Sequence, residues 1–293
     1  MEKIDKVFLI INFDKDIPDS FFKELDLLLK SSSCNLYVNS DTDDYLNNRK
    51  CSLTRNVIQN SSVMQNMDIA IVLGGDGSIL KASTQVCSYN IPILGINFGT
   101  LGYMAELEAS DLKKVKAVFN GDYKLEERMM LSAKIERNDK SIIMMPPALN
   151  DIVLSNGPIA RILNFNVSCN GVLIEKCRAD GLVISTPTGS TAYSMSAGGP
   201  ILAPALNAFC LTPICPHSFG NRPVILNGND IVVLSEIRVV KDNSVYLTVD
   251  GRLAEKLENG DIITVSRSFS VTRLVRLKDN SFLSVLNSKL QEV

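Results

Sequence analysis

The sequence predicts an α/β domain with a parallel sheet, followed by an all-β domain. Three observations carry this prediction. The length of 293 residues suits two domains of ordinary size, and a content of 45% apolar and 21% charged residues suits a soluble protein with sizeable cores. Apolar runs alternate with helical segments up to about residue 122. Beyond that point, short strand-like segments are separated by turn residues.

Four apolar runs predict the strands of the first domain: VFLIIN (7–12), CNLYV (34–38), DIAIVL (68–73) and PILGIN (92–97). The segment Pro18-Asp19-Ser20 is a cap signal for the helical spacing of FFKELDLLLK, and residues 110–121 predict a helix that ends at Gly121. The last two strands each lead into a glycine-rich loop. Strands that alternate with helices indicate a parallel sheet.

The second domain is predicted from short segments such as LNFNVSCNG, LVIST, VYLTVDGR and DIITVSRS. Before residue 270 only SMSAGGPILAPALNAF (194–209) looks helical. We expect the last ~20 residues to return to the first domain, where a core is available. The predicted boundaries are therefore 1–122 for the α/β domain, 123–270 for the β-rich domain and 271–293 for the returning segment.

Composition argues against several classes of protein. A net charge of −2 without a basic block disfavours nucleic-acid binding, and no apolar run reaches membrane-spanning length. The chain has a single histidine, His217, which we expect to be structural. Its seven cysteines include no CxxC pair, so we predict no metal-ligating residues and no disulfide framework. This cysteine usage favours a reducing cytoplasm.

The stretch LGGDGSILK (73–81) follows a predicted strand and opens a helix. Backbone N–H groups and a helix N-terminus then point at one spot, which suits a phosphate. The loop matches neither a P-loop nor a dinucleotide fingerprint. A carboxylate among such donors suits an acceptor alcohol, because Asp76 would orient a hydroxyl and take its proton as the bond to phosphorus forms. The alternative is a tight turn in which Asp76 only caps the helix.

A second stretch, ADGLVISTPTGSTAYSMSAGGP (179–200), places hydroxyl residues, glycines and prolines after a strand. It carries no charge from Gly181 to Pro200, and six serine and threonine residues lie between positions 185 and 194. Neutral donors and acceptors of this kind predict a polar pocket for an uncharged ring system. A long turn without a ligand is the alternative.

Seven motifs occur in this order: GGDG (74–77), GINFGTLG (95–102), LND (149–151), DGLVISTPTGSTAYSMSAGGP (180–200), PHS (216–218), RP (222–223) and VDG (249–251). The set closely resembles the NAD kinase family over nearly all of the chain after residue 68, and TPTGSTAYS is its most specific member. The resemblance implies transfer of the terminal phosphate of ATP to the adenosine-ribose 2′-hydroxyl of NAD, with Mg²⁺ as the expected divalent cation. It also implies a Rossmann-like first domain, a β-sandwich-like second domain, and a homodimer or homotetramer.

The resemblance further implies roles for individual residues. Asp76 matches the catalytic aspartate, and Asn150 with Asp151 matches a pair that holds a ribose, where the family usually has Asn and Glu. The other residues that match substrate- or nucleotide-binding positions are Gly74, Gly75, Gly77, Lys81, Phe98, Arg161, Arg178, Asp180, Thr191, Ala192, Tyr193, Ser196 and Asp250. Arg252 departs from the polar residue that is common after VDG.

Two other functions are open from the sequence. A lipid or sugar kinase shares the GGDG loop, but it gives no reason for the TPTGSTAYS segment. A catalytically silent dinucleotide-binding module is disfavoured because Asp76, Asn150 and Asp151 are all present.

Overall fold

The computed structural model describes residues 3–99, 102–157, 162–217, 222–239, 244–277 and 282–291. The chain divides into two compact units. The first comprises Met1–Glu127 and Thr272–Val293, and the second comprises Arg128–Val271. In the described parts of both units, no helix is long and apolar enough to cross a membrane.

The first unit is built on a parallel sheet. Its strands are β1 (Lys6–Ile11), β2 (Asn35–Val38), β3 (Asn56–Val57), β4 (Ile69–Gly74), β5 (Ile93–Asn97) and β6 (Leu107–Glu108). Its helices before residue 124 are α1 (Asp19–Ser32), α2 (Ser40–Asn48), α3 (Asp76–Val86) and α4 (Val115–Phe119). The central strands follow the order β5-β4-β1-β2-β3, and each neighbouring pair is parallel. The residues of β4 and β5 are all buried, as expected for strands covered on both faces.

The strand order of this sheet reverses between β1 and β4. The chain moves outward from β1 to β2 and β3, and then places β4 on the other side of β1. In open α/β sheets, ligands bind at the carboxyl ends of strands that flank such a reversal. Asn12 directly follows β1, and the GGDG loop directly follows the body of β4. The loop singled out from the sequence therefore lies at the topological switch point of the sheet.

The second unit is a β-sandwich. Its strands are β7 (Lys124–Glu136, which begins in the first unit), β8 (Ile142–Met144), β9 (Asp151–Asn156), β10 (Leu163–Cys169), β11 (Val172–Ala179), β12 (Gly181–Ser185), β13 (Ala208–Ile214), β14 (Val224–Asn227), β15 (Val232–Ser235), β16 (Val245–Val249), β17 (Leu253–Leu257) and β18 (Ile262–Arg276, which ends in the first unit). One antiparallel sheet has the order β14-β13-β12-β9-β16-β17, and a second antiparallel group has the order β11-β10-β15-β18. One hydrophobic cluster contains residues of both, including Leu182 and Phe165.

The predicted helical segment at 194–209 is mostly not a helix. Only the short α5 (Tyr193–Ser196) is helical there, and β13 already begins at Ala208. Gly198 has φ +87°, and the following Pro200 has no N–H to continue a helix, so the chain leaves the helical conformation after one turn. The last described helix is α6 (Phe282–Gln291), which belongs to the first unit.

Candidate active site

The GGDG loop joins β4 to α3, and its glycines serve two purposes. A Cβ on Gly74 would lie 2.2 Å from Ser78 Oγ, so this position is glycine because neighbouring protein atoms fill the space. A Cβ on Gly75 would have no neighbour closer than 3.5 Å, and one on Gly77 would have none within 4 Å. None of the three has a positive φ, so the loop needs glycine for room and not for a left-handed backbone. Gly75 and Gly77 leave room for a ligand beside their Cα atoms.

Asp76 is the first residue of α3, and Gly75 is its N-cap. The Asp76 carboxylate makes three hydrogen bonds outside its own helix. Oδ2 accepts the N–H of Tyr103 at 2.7 Å, and Oδ1 accepts those of Met104 at 3.0 Å and Ala105 at 3.4 Å. The alternative prediction, that Asp76 is only a helix cap, is therefore wrong. The half-buried carboxylate lies at the N-terminus of an 11-residue helix, whose dipole favours a negative charge.

Three polar residues at this edge of the sheet were not predicted. Asn12 Nδ2 donates to Ser78 Oγ at 3.1 Å. Asn97 is buried, and its Nδ2 donates to Gly99 O at 2.6 Å, whereas its Oδ1 has no hydrogen-bond partner in the described structure. Lys15 Nζ lies 3.2 Å from the position of a Cβ on Gly99. In the sequence, these three residues are marked only by their position. Each ends or closely follows a strand, at the carboxyl edge of the parallel sheet.

Phe98 and Lys81 occupy different settings near the loop. The ring of Phe98 packs edge-on against that of Phe21, with 4.9 Å between centroids. Phe98 also lines a cavity of about 440 Å³ together with Asn97 and Glu108. Lys81 is exposed in the second turn of α3. Phe98 thus contributes to the core of the first unit as well as to the cavity wall.

In the second unit, a cavity of about 350 Å³ brings five predicted residues together. It is lined by Asn150, Asp151, Val153, Ser155, Ala192, Tyr193, Thr248, Asp250 and Gly251. Tyr193 is 45% exposed, so a planar ring can stack on its face. Burial, and then the nearby Cys215, Asp151 and Asp180 groups, raise the pKa of its hydroxyl. Thr248, Val153 and Ser155 were not predicted, since nothing distinguishes them from other strand residues.

The side chain of Asp250 accepts hydrogen bonds from the backbone of the LND segment. Its Oδ1 accepts the N–H of Asn150 at 2.8 Å and that of Asp151 at 3.1 Å, and its Oδ2 accepts the N–H of Leu149 at 3.0 Å. Asp250 has φ 51° in the VDG turn, a left-handed conformation in which aspartate is more common than most residues. The backbone of the Asn150–Asp151 pair therefore depends on a residue about 100 positions later in the chain.

Asp151 and Asp250 are two buried carboxyl groups close to each other. Burial, and then the charge of Asp250, raise the pKa of Asp151 to about 7. Burial also raises the pKa of Asp250, but its three backbone N–H donors and the charge of Arg252 oppose this shift. These donors favour the charged form of Asp250, so Asp151 is the carboxyl group that carries the proton below about pH 7. Arg252, a departure from the family pattern, thus favours the ionised form of Asp250.

We expect Asp151 to make the folded protein less stable as the pH rises. The folded pKa of about 7 exceeds the ordinary value of about 4, so the folded state binds more protons between these values. The stabilising contribution is complete below about pH 4 and is lost by about pH 7, with a slope of about 1.4 kcal/mol per pH unit. Urea unfolding between pH 5 and 7 should show this slope in the difference between wild type and Asp151→Asn. An equal pH dependence in the two proteins would contradict the assignment.

Most hydroxyl groups of the 185–194 run bond within the protein, which corrects the prediction that they face a ligand. Thr186 Oγ1 donates to Leu149 O at 2.6 Å and accepts the N–H of Gly189 at 3.1 Å. Ser190 Oγ likewise bonds to the backbone of its own loop. A Cβ on Gly189 would lie 2.0 Å from Asn150 O, so the loop packs directly against the LND segment. The internal hydrogen bonds of the 185–194 run therefore hold the wall of the 350 Å³ cavity in place.

The remaining predicted residues do not line the 350 Å³ cavity. Arg178 and Ser196 are exposed, Asp180 is half-buried before β12, and Thr191 Oγ1 donates to the carbonyl of residue 188 at 3.3 Å. Arg161 lies outside the described residues. The single histidine is exposed, and its backbone N–H donates to Arg178 O at 2.8 Å.

Comparison with known proteins identifies the family. The ATP-NAD kinase N-terminal domain family matches residues 7–123, and the ATP-NAD kinase C-terminal domain family matches residues 149–277. The chain is 38% identical over 287 residues to an NAD kinase of Natranaerobius thermophilus, covering 97% of each chain. The chain belongs to the ATP-NAD kinase family. An NAD kinase of Citrifermentans bemidjiense is also 38% identical, over 259 residues that cover 87% of this chain and 88% of the relative.

A solved structure supports the fold of this ATP-NAD kinase. Yeast NADH kinase complexed with NADH has a TM-score of 0.89 at 27% identity, covering 99% of this chain and 88% of the yeast chain. The predicted resemblance and the predicted fold class, an α/β domain followed by a β-rich domain, are therefore confirmed. The GGDG and GINFGTLG motifs fall in the match to the ATP-NAD kinase N-terminal domain, and the LND, TPTGSTAYS and VDG motifs fall in the match to the C-terminal domain.

Proposed function

We propose that this ATP-NAD kinase transfers the terminal phosphate of ATP to the 2′-hydroxyl of the adenosine ribose of NAD, giving NADP and ADP. The observation that carries the proposal is the Asp76 carboxylate. It lies at the N-terminus of α3 and at the switch point of the sheet, between two glycines that have room beside their Cα atoms. In a member of this family, that arrangement suits a base beside a phosphate site.

Asp76 takes the proton of the 2′-hydroxyl while the oxygen of that hydroxyl forms its bond to the γ-phosphorus. The bond from the γ-phosphorus to the oxygen that bridges it to the β-phosphorus breaks, and ADP leaves with that electron pair. We assign the proton to Oδ2, because among the described residues it accepts one N–H whereas Oδ1 accepts two. The N-terminus of α3 holds phosphate oxygens, in the room that Gly75 and Gly77 leave beside their Cα atoms. Lys15 and Lys81 supply positive charge on this unit.

We propose Mg²⁺ as the divalent cation, bound mainly by ATP itself. Within the described ranges, no three His, Cys, Asp or Glu side chains form a group that could hold a metal. Mg²⁺ commonly takes substrate phosphates, waters and only one or two protein ligands, so the residues present fit a cation carried on the triphosphate. Asn97 Oδ1, which is buried and lies 3.5 Å from the position of a Cβ on Gly75, is the protein oxygen we assign to it or to its water. When bound, the cation offsets the charge of the phosphates.

We propose that the cavity of the second unit binds the adenosine part of NAD. The side chains of Asn150 and Asp151 line it and offer oxygens to two neighbouring ribose hydroxyls. The exposed ring of Tyr193 is suited to stack on the adenine. Asp250 keeps the backbone of the pair in place. Roles for the other predicted positions stay predictions of the resemblance.

We also propose that the chain assembles as a homodimer or homotetramer in the cytoplasm. Strand β11 ends its sheet and exposes Val172, Leu173 and Ile174 by 65%, 48% and 44%. A contiguous apolar run on an edge strand favours coverage by a second copy. Seven free thiols favour a reducing compartment. The mass of the protein in solution tests the assembly, and a monomer at micromolar concentration would contradict it.

The function is tested by an acceptor assay with ATP and Mg²⁺. NAD, NADH, diacylglycerol and a sphingoid base are supplied separately, while ADP release is followed and products are identified by mass spectrometry. We expect NADP and ADP in equal amounts. Phosphorylation of a lipid would instead indicate a lipid kinase. Binding of NADP(H) without turnover of any acceptor would indicate a silent dinucleotide-binding module.

A further inference from the structure

We propose that Gly102 is a positioning residue for phosphoryl transfer, and that the segment Gly102–Ala105 is the holder of the Asp76 carboxylate. The inference rests on the proposed role of Asp76 as the base. Two independent observations carry it: the space beside Gly102 and the hydrogen bonds of the three residues that follow.

The Asp76 carboxylate fills the space that a side chain at position 102 would need. A Cβ on Gly102 would lie 2.0 Å from Asp76 Oδ1, 2.2 Å from Cγ and 2.4 Å from Oδ2. All three distances are shorter than contacts that Cβ atoms make in proteins. Gly102 does not have a positive φ, so its backbone conformation is open to alanine. Position 102 therefore requires glycine because the carboxylate lies against its Cα.

The next three residues fix the orientation of the same carboxylate. Tyr103 donates its N–H to Oδ2, while Met104 and Ala105 donate theirs to Oδ1. A carboxylate has about four lone-pair sites, so three donors leave one site, and it is on Oδ2. The holder thereby determines which oxygen of Asp76 receives the proton of the acceptor hydroxyl.

The holder is itself anchored from the C-terminal part of the first unit. Arg276 Nη1 donates to Met104 O at 3.0 Å and to Glu106 Oε2 at 3.3 Å. The ring of Tyr103 lies 6.0 Å from that of Phe282 in α6, centroid to centroid. The segment is therefore also bound by residues other than Asp76, and these contacts oppose its displacement when position 102 gains a methyl group.

Gly102→Ala should displace the carboxylate and lower kcat by about 100-fold, the usual effect of misplacing a reacting group by about 1 Å. KM for NAD and for ATP should change by no more than about threefold, because an interaction made only in the transition state is lost. The matched control is Gly171→Ala in the second unit. Its φ of +81° strains an alanine, but the added Cβ meets no atom within 4 Å, so stability falls while kcat is kept.

A double variant distinguishes positioning from a general structural effect. If Gly102 acts through Asp76, Gly102→Ala combined with Asp76→Asn is no slower than Asp76→Asn alone. Multiplied losses in the double variant would overturn the inference, as would an unchanged kcat in Gly102→Ala. Turnover retained by Asp76→Asn would instead overturn the proposed role of Asp76 as the base. If Gly102→Ala does not fold, Arg276→Lys provides the test, because it removes the guanidinium group that donates to Met104 O. Arg276→Lys should lower kcat in the wild-type protein but not in the Asp76→Asn protein. Equal losses of kcat in both proteins would overturn the inference.

Discussion

We expect Asp76→Asn to lower kcat by about 10²- to 10⁴-fold, the range that a general base contributes. The amide cannot take a proton from the 2′-hydroxyl, although it is nearly the size of the carboxylate. Binding of NAD should persist, because the cavity that we assign to its adenosine part belongs to the other unit. Steady-state kinetics with varied NAD and ATP measure the loss, and isothermal titration measures NAD binding.

Asp68→Asn is the matched control for this substitution. Asp68 lies just before β4, at the opposite end of that strand from Asp76, and its Oδ2 accepts the backbone N–H groups of Asp5 and Lys6 at 2.8 Å each. The control therefore weakens carboxylate-to-backbone bonds in the same sheet without touching the loop. Equal losses of kcat in the two variants would mean that Asp76 has only a structural role.

We expect Asp250→Ala to raise KM for NAD by at least about tenfold and to lower the free energy of unfolding by about 3 kcal/mol, since each buried donor left without a partner costs roughly 1–3 kcal/mol. The substitution leaves the N–H groups of Leu149, Asn150 and Asp151 without their acceptor. It also puts alanine at φ 51°, where aspartate is better tolerated. Without this support, the LND segment no longer presents its side chains to the cavity in one geometry.

Asp261→Ala separates the loss of NAD binding from general destabilisation. Asp261 is also buried in the second unit, where it pairs with Arg137 and accepts the N–H of Glu258 at 2.7 Å. Its removal should destabilise the protein and leave KM for NAD near the wild-type value. If both variants raise KM equally, the effect of Asp250 on NAD is indirect. Urea unfolding and NAD titration of both variants provide the comparison.

The strands and the fold class could be predicted because buried parallel strands have continuous apolar sequences. Residues 7–12 and 92–97 were predicted to be strands, and β1 (Lys6–Ile11) and β5 (Ile93–Asn97) occupy nearly those positions. The motifs were equally visible, since GGDG and LND are local in sequence. The helix predicted at 194–209 was wrong because its apolar spacing is overridden by Gly198 and Pro200.

The contacts that arrange the candidate site could not be read from sequence patterns, because they join distant segments. Asp76 bonds to backbone groups 27 to 29 residues away, and Asp250 bonds to groups 99 to 101 residues away. Backbone N–H groups are present at almost every residue, so the sequence does not mark those that serve as donors. The hydroxyl run misled the prediction for the same reason, as Thr186 and Ser190 bond to backbone atoms.

The central claim, that a carboxylate held at the start of a helix activates the adenosine-ribose hydroxyl of NAD, is tested most directly by phosphorus NMR of the product. NAD, ATP and Mg²⁺ are incubated with wild-type protein and with Asp76→Asn at equal concentrations. The account predicts a new 2′-phosphomonoester on the adenosine ribose with the wild type, and almost none with the variant over the same time. A phosphate on any other hydroxyl, or equal product from both proteins, would contradict it.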